Sequence, residues 1–205
     1  MTILEKGPSQ THIDLRAIVM SAQLEQFHSD PEVDIWQLTF WDNIKLESYR
    51  GWYREDSDDF KLLTHAQQLL VLVGNADGEI GNGGIGQLFF NSANLVPRIQ
   101  EAFDEMGSRF AAEFFDRELN RLSKTEFIAK WNSARNGFSE ASQAGDKERA
   151  WEEFLDFLGE FYPESKGQLF DPVSQQYWEA RDETMASIKR YIGKHESSFF
   201  VVSDN

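Results

Sequence analysis

Ten residues near the middle of the chain, Asp77-Gly-Glu-Ile-Gly-Asn-Gly-Gly-Ile-Gly86, hold five of its 14 glycines and come closest to a ligand-binding motif. Gly81, Gly83 and Gly86 match the G-x-G-x-x-G spacing that seats a pyrophosphate on a helix N-terminus in dinucleotide-binding folds. That chemistry needs a strand running straight into the first glycine. The nearest candidate, Leu69–Val73, ends eight residues too early, and no acidic residue closing a second strand follows. A calcium loop opening at Asp77 fails as well, because Gly81 and Asn82 stand where an oxygen ligand and a glycine are needed and Leu88 takes the twelfth place. The histidines His12, His28, His65 and His195 are scattered without helical metal-ligand spacing, and there is no cysteine. No metal, cofactor or catalytic nucleophile is therefore expected, and the chain reads as a non-enzyme.

The elements that must position this segment have helical periodicity nearly throughout, which predicts an all-α single domain over residues 1–205. About eight or nine helices fit, with the glycine-rich turn near the centre. A first helix runs through LRAIVMSAQLEQF and a second covers about Val33 to Tyr53, before a solvated acidic loop at Glu55–Asp59. Thr64 and Gln67 have capping-box spacing and open a buried helix through LLVLV. Pro97 suits a first turn, Gly107 a stop, and Ser108 a cap. Ser123 and Glu126 form a second capping box for a helix ending near Asn136-Gly137. Asp146 caps KERAWEEFLDFLGEFY, Asp171-Pro172 opens a last helix reaching His195, and Ser198–Val202 reads as extended. Residues 196–205 read as a flexible acidic tail. No apolar run approaches the length of a membrane span, and the N-terminus lacks the apolar stretch of a signal peptide, so a cytoplasmic protein is expected.

Read physically, Asn82, Gly83 and Gly84 can take positive φ and let the chain reverse between two helices, with Gly84 also permitting close helix packing. Glu79, Gln87 and Asn91 would then form a polar cluster pinning the turn, and Phe89 or Phe90 would point inward. A small-ligand pocket using Glu79 and Gln87 is the other reading of the same residues. The pattern Glu79-Ile80-x-Asn82-Gly83-Gly84-x-x-Gln87-x-Phe89-x-Asn91 resembles the signature of a bacterial family that includes DNA mimic protein 19. Ile85 and Leu88 stand where that family more often has aromatics. The likeness continues through IQEAFDEMGSRFAAEFFDREL, FLDFLGEFYPE and KRYIGKH, spanning roughly Trp36 to His195. The resemblance implies a helical fold and a protein that imitates the charge of duplex DNA to occupy a DNA-binding partner.

Charge supports that expectation. The 205 residues carry 20 Lys+Arg against 35 Asp+Glu, a net −15, which repels DNA, RNA and anionic lipid and favours a basic partner. The excess lies in residues 1–60 and 131–205, and the motif-bearing middle is nearly neutral. Glu148, Glu152, Asp156 and Glu160 recur every four residues opposite an apolar face, with Glu153 beside them. Such carboxylates climb roughly 6 Å per step and drift about 40° around the helix each time. Like charges at this spacing each oppose the helix by about 0.2–0.5 kcal/mol. Asp56, Asp58, Asp59, Glu179, Asp182 and Glu183 would join them on an acidic surface. The expected function is competition with DNA for a basic DNA-binding protein such as a transcription regulator, and a homodimer is compatible with it. The alternative is an interaction or immunity-type module that recognises its partner by shape and aromatic contacts; the plain reading of the stripe itself is an ordinary amphipathic helix with a solvated acidic face.

Overall fold

Thr64 and Gln67 form both halves of the capping box that their spacing predicts: the Gln67 amide donates to Thr64 Oγ1 at 3.3 Å and the Thr64 amide to Gln67 Oε1 at 2.9 Å. The computed structural model describes residues 21–30, 33–36, 60–61, 63–163 and 171–200. Among these residues there are nine helices and no strand. They are α1 (Ser21–Ser29), α2 (His65–Ser92), α3 (Val96–Glu105), α4 (Arg109–Leu122), α5 (Phe127–Gln143), α6 (Lys147–Phe161), α7 (Pro172–Glu179), α8 (Arg181–Lys194) and α9 (Glu196–Phe199). The greater part of the expected helix at Val33–Tyr53, and the loop carrying Asp56, Asp58 and Asp59, lie outside the described residues. None of the described helices is apolar enough over a sufficient length to cross a membrane.

The LLVLV run is helical and buried all round, from Leu69 to Val73, as a segment without a polar face must be. It forms the first half of α2, the axis of the fold, which packs against α3, α5, α6, α7 and α9. Two antiparallel hairpins, α3–α4 and α5–α6, lean on it. Gly107, at φ +76°, closes α3 as predicted, and the Ser108 amide returns to the Phe103 carbonyl. Because α2 has neighbours on so many sides, both Phe89 and Phe90 are buried, where one was expected inside. Phe89 faces Phe127 and Tyr162; Phe90 sits among Phe138, Phe154 and Phe157.

Five other expectations are corrected. Ser108 stands at the start of α4 without capping it, because its buried hydroxyl donates instead to Thr184 Oγ1 on α8. The Ser123–Glu126 box does not form. The Ser123 and Thr125 hydroxyls turn back to the Asn120 and Leu122 carbonyls and satisfy the end of α4. Helix α5 passes through Asn136-Gly137 to Gln143, since Gly137 lies under Glu153 of α6 in the hairpin. The long C-terminal helix breaks at Ala180 into α7 and α8, with Tyr177 seated against Phe103, Phe114 and Phe115, and Arg181 paired with Asp77. Beyond it, the stretch read as a flexible, extended tail begins with the helical turn α9. Phe199 and Phe200 are buried, and Phe200 packs on Phe27.

Three phenols donate to carboxylates across element boundaries: Tyr162 to Glu118 at 3.3 Å, Tyr177 to Asp77 at 3.3 Å and Tyr191 to Glu105 at 3.2 Å. Burial first, and the adjacent carboxylate second, push all three ionisations upward, that of Tyr191 to about 12. An unfolded tyrosine ionises near pH 10. Stability from these groups is therefore complete below that pH and is lost above it, as the unfolded chain releases protons that the folded one retains. In an alkaline titration at 295 nm, three of the five tyrosines should ionise late and together with loss of the helical circular dichroism signal. Five simple transitions near pH 10 in a folded protein would contradict this.

Candidate functional site

The central motif sits where α2 is interrupted. Gly83 (φ −159°, ψ 20°) and Gly84 (φ 80°, ψ −179°) leave helical geometry, and Gly84 occupies a region essentially restricted to glycine. In a straight helix Glu79 and Asn91 would lie about 18 Å apart along the axis. Here Asn91 Nδ2 donates to Glu79 Oε2 at 2.9 Å, so the break folds the second half of α2 back toward the first. Gln87 Nε2 donates to the same oxygen at 2.8 Å. A Cβ on Gly83 would fall 2.0 Å from Gln87 Oε1, so the absence of a side chain there is what lets Gln87 curl over the break. Asn82 is exposed.

The break creates a new helix start, and its first donor is satisfied from far along the chain. The Ile85 amide donates to Ser174 Oγ at 2.8 Å, and that hydroxyl donates in turn to Asp171 Oδ2. Asp171 is fully buried, and its Oδ1 accepts the Val173 and Ser174 amides at 2.9 Å each. A single carboxylate thus caps α7 directly and the second half of α2 through a serine. On the opposite side, Arg135 of α5 reaches Asn91 Oδ1 at 3.4 Å and lies over the rings of Phe90 and Phe138. Burial lowers the Arg135 pKa, and the field of Glu79 partly offsets that. Trp131 Nε1 donates to the Phe90 carbonyl at 2.8 Å.

Within this cluster the hydrogen bonds are internal. The Glu79 carboxylate already holds two amides, and no nucleophile faces it in the contacts above. Cavities of about 290 Å³ and about 580 Å³ open elsewhere, the first lined by Phe89, Leu119, Phe127 and Ile128, the second by Trp36, Arg181, Asp182 and Lys189. Neither is lined by Glu79, Asn82, Gly83, Gly84 or Gln87. Sequence reasoning missed Ser174 and Arg135 as partners of the motif, 89 and 44 residues from the Ile85 and Asn91 groups they bind, and Asp171, which acts on it through Ser174. It also missed Asn75, one helical turn before Glu79 and 2% exposed, whose amide has no hydrogen-bond partner among the described residues.

The acidic residues of α6 divide into two sets. Glu160 is paired with Lys130 of α5, a hydrogen bond that raises the lysine pKa, and Glu153 lies half-buried over Gly137. Glu148, Glu152 and Asp156 are exposed and make no ion pair among the described residues, while the nearby Arg149 reaches Glu140 at 3.8 Å. The drift around the helix explains the split: each step of four residues turns the row further toward α5, until its last member meets a lysine. Glu179 ends α7, and Asp182 and Glu183 lie in the first turn of α8, where their charge suits the helix N-terminus. All three are exposed, on elements distinct from α6. Asp56, Asp58 and Asp59 lie outside the described residues.

Two substitutions test the organisation of the break. Gly84→Ala should lower the free energy of unfolding by about 1–3 kcal/mol through backbone strain. Ser174→Ala should lower it by about 1–3 kcal/mol by leaving the Ile85 amide unpaired. Urea denaturation reads both, and unchanged midpoints would mean that the break is held by something else.

Residues 61–195 match the DMP19-like protein family, a span that takes in α2 to α8 with the whole glycine motif and begins later than the likeness read from the sequence. No curated protein and no solved structure is matched. With the greater part of its 205 residues inside that match, the chain belongs to the DMP19-like protein family.

Proposed function

We propose that this protein acts without catalysis, by presenting carboxylates to a basic DNA-binding protein and excluding DNA by competition. The observation that carries the reading is the outward face of α6, where Glu148, Glu152 and Asp156 stand on one rigid helix without an ion pair among the described residues. A net charge of −15 adds long-range attraction for a basic surface and repulsion of DNA. The apolar side of α6, through Phe157, Leu158 and Phe161, buries enough surface to hold the helix against the repulsion along its outer face. Membership of the DMP19-like family agrees with this role, which is the one its resemblance to DNA mimic protein 19 implies. The partner's lysines and arginines would meet carboxylates in place of phosphates. Glu179, Asp182 and Glu183 would extend the contact only to a partner broad enough to reach α7 and α8.

The second reading, recognition by shape and apolar contact, draws support from Ile128, which is 60% exposed at the edge of the 290 Å³ recess.

The two readings separate in a competition assay. The protein is titrated into complexes of basic repressors with labelled operator DNA, at low and at raised salt. DNA should be released, and less readily as salt screens the attraction. Replacing Glu148 and Glu152 by Gln and Asp156 by Asn should weaken release by about ten-fold at low salt, as loss of three modest ion pairs requires. Failure to release DNA from any repressor would end the mimic reading, and release that survives the triple substitution unchanged would favour the second.

A further inference from the structure

Arginine is handled in one way twice within this molecule. Arg121 lies over the Tyr162 ring, 4.8 Å from its centroid, while its Nη2 bonds Glu118 Oε2 at 2.7 Å. Arg181 lies over the Trp178 ring at 5.5 Å and pairs with Asp77 at 3.3 Å. In each case a guanidinium is held between an aromatic face and a carboxylate, so that quadrupole attraction and ion pairing act on one flat cation.

A third such combination is present on α6 without its cation. Trp151 is 58% exposed, an unusual state for so large an apolar side chain. It lies one helical turn from both Lys147 and Glu148 and directly precedes Glu152 in the chain; Glu148 and Glu152 are two of the carboxylates without an ion pair among the described residues. Residues at such i, i+3 spacing have Cβ atoms about 5–6 Å apart. Phe154 buttresses the indole, with ring centroids 5.3 Å apart, and itself packs on Phe90 in the core. No cation of the described residues lies over the Trp151 ring. The indole is thus braced from within and exposed to solvent, with the Glu148 carboxylate one turn away.

We infer that Trp151, with Glu148 one turn before it, is the receptor for an arginine of the basic partner protein, the place on the acidic face where a guanidinium is preferred over an ammonium. The inference rests on the α6 reading given under Proposed function and adds to it a chemical preference. Charge alone does not discriminate arginine from lysine; a planar cation stacked on indole does, because guanidinium is the more weakly hydrated of the two and matches a carboxylate with paired donors. Arginine and tryptophan are also the side chains that most often dominate interface energetics.

The test uses the full chain, 15N-labelled, with capped tetra-arginine and tetra-lysine peptides at low salt. The Trp151 indole N–H signal is identified as the one of six that is missing in Trp151→Phe. It should shift saturably with tetra-arginine and less with tetra-lysine. Trp151→Leu should weaken tetra-arginine binding about two- to five-fold, the scale of an exposed cation–π contact, and leave tetra-lysine binding almost unchanged. Trp151→Phe should retain part of the preference. A silent Trp151 signal, or equal affinity for both peptides before and after Trp151→Leu, overturns the inference. If the triple replacement of Glu148, Glu152 and Asp156 still weakens both peptides in that event, the electrostatic reading of α6 stands alone. If the triple replacement changes neither, that reading falls as well. The exposure of Trp151 means that its variants should unfold at the wild-type temperature, which circular dichroism verifies.

Discussion

A backbone amide inside a protein must find an acceptor, and here that requirement ties the two ends of the family-matched region together. Breaking α2 at Gly84 strips the following residues of their helical acceptors. Ile85 finds Ser174, and Ser174 is oriented by Asp171, a carboxylate without solvent exposure. The Ile85 amide at the bend in α2 is therefore satisfied by α7, and Asp171 serves both helix starts. Asp171 is stable in that position because three donors converge on its oxygens. The local sequence and the tertiary fold are mutually dependent at this point.

What could be read in advance follows from the range of the forces concerned. Caps at Thr64, Asp146 and Asp171, and Pro97 in a first turn, were visible because donor and acceptor lie within four residues of each other. Ser108 and Ser123 have the same local qualifications and behave differently. Each hydroxyl had a second acceptor nearby, one on α8 and one at the end of α4, which residue spacing does not reveal. The break at Ala180 carries no proline or glycine; it follows from seating Tyr177 among three phenylalanines while Arg181 reaches Asp77. The contact of Glu79 with Gln87 and Asn91 was legible because the glycines announced a bend. Arg135 was not, since nothing near it in sequence places α5 against the motif.

The same distinction governs the acidic helix. Periodicity identified the carboxylates of α6, and helix geometry gave the drift of the row, but only the neighbouring helix decides what that drift means. With α5 on one side, Glu160 falls to Lys130, and Glu148, Glu152 and Asp156 keep their charge uncompensated by an ion pair among the described residues. A surface pair such as Lys130–Glu160 contributes little to stability, yet it removes one member from the row and so shortens the acidic edge.

The motif and the acidic face are then parts of one arrangement. Gly86 follows the break by two residues, and a Cβ there would lie 2.4 Å from Leu158 Cδ2, so the bare position is what leaves room for that side chain of α6 against α2. Phe90 meets Phe154 and Phe157 from α6 and Phe138 from α5, while Arg135 covers the same ring. The second half of α2 thereby fixes both helices of the hairpin, and with them the direction in which the outer carboxylates point. A glycine-rich segment without the strand that a dinucleotide site needs still has a reason for its composition. It bends one helix sharply, admits another at short range, and holds a charged helix at a set angle to the core that supports it.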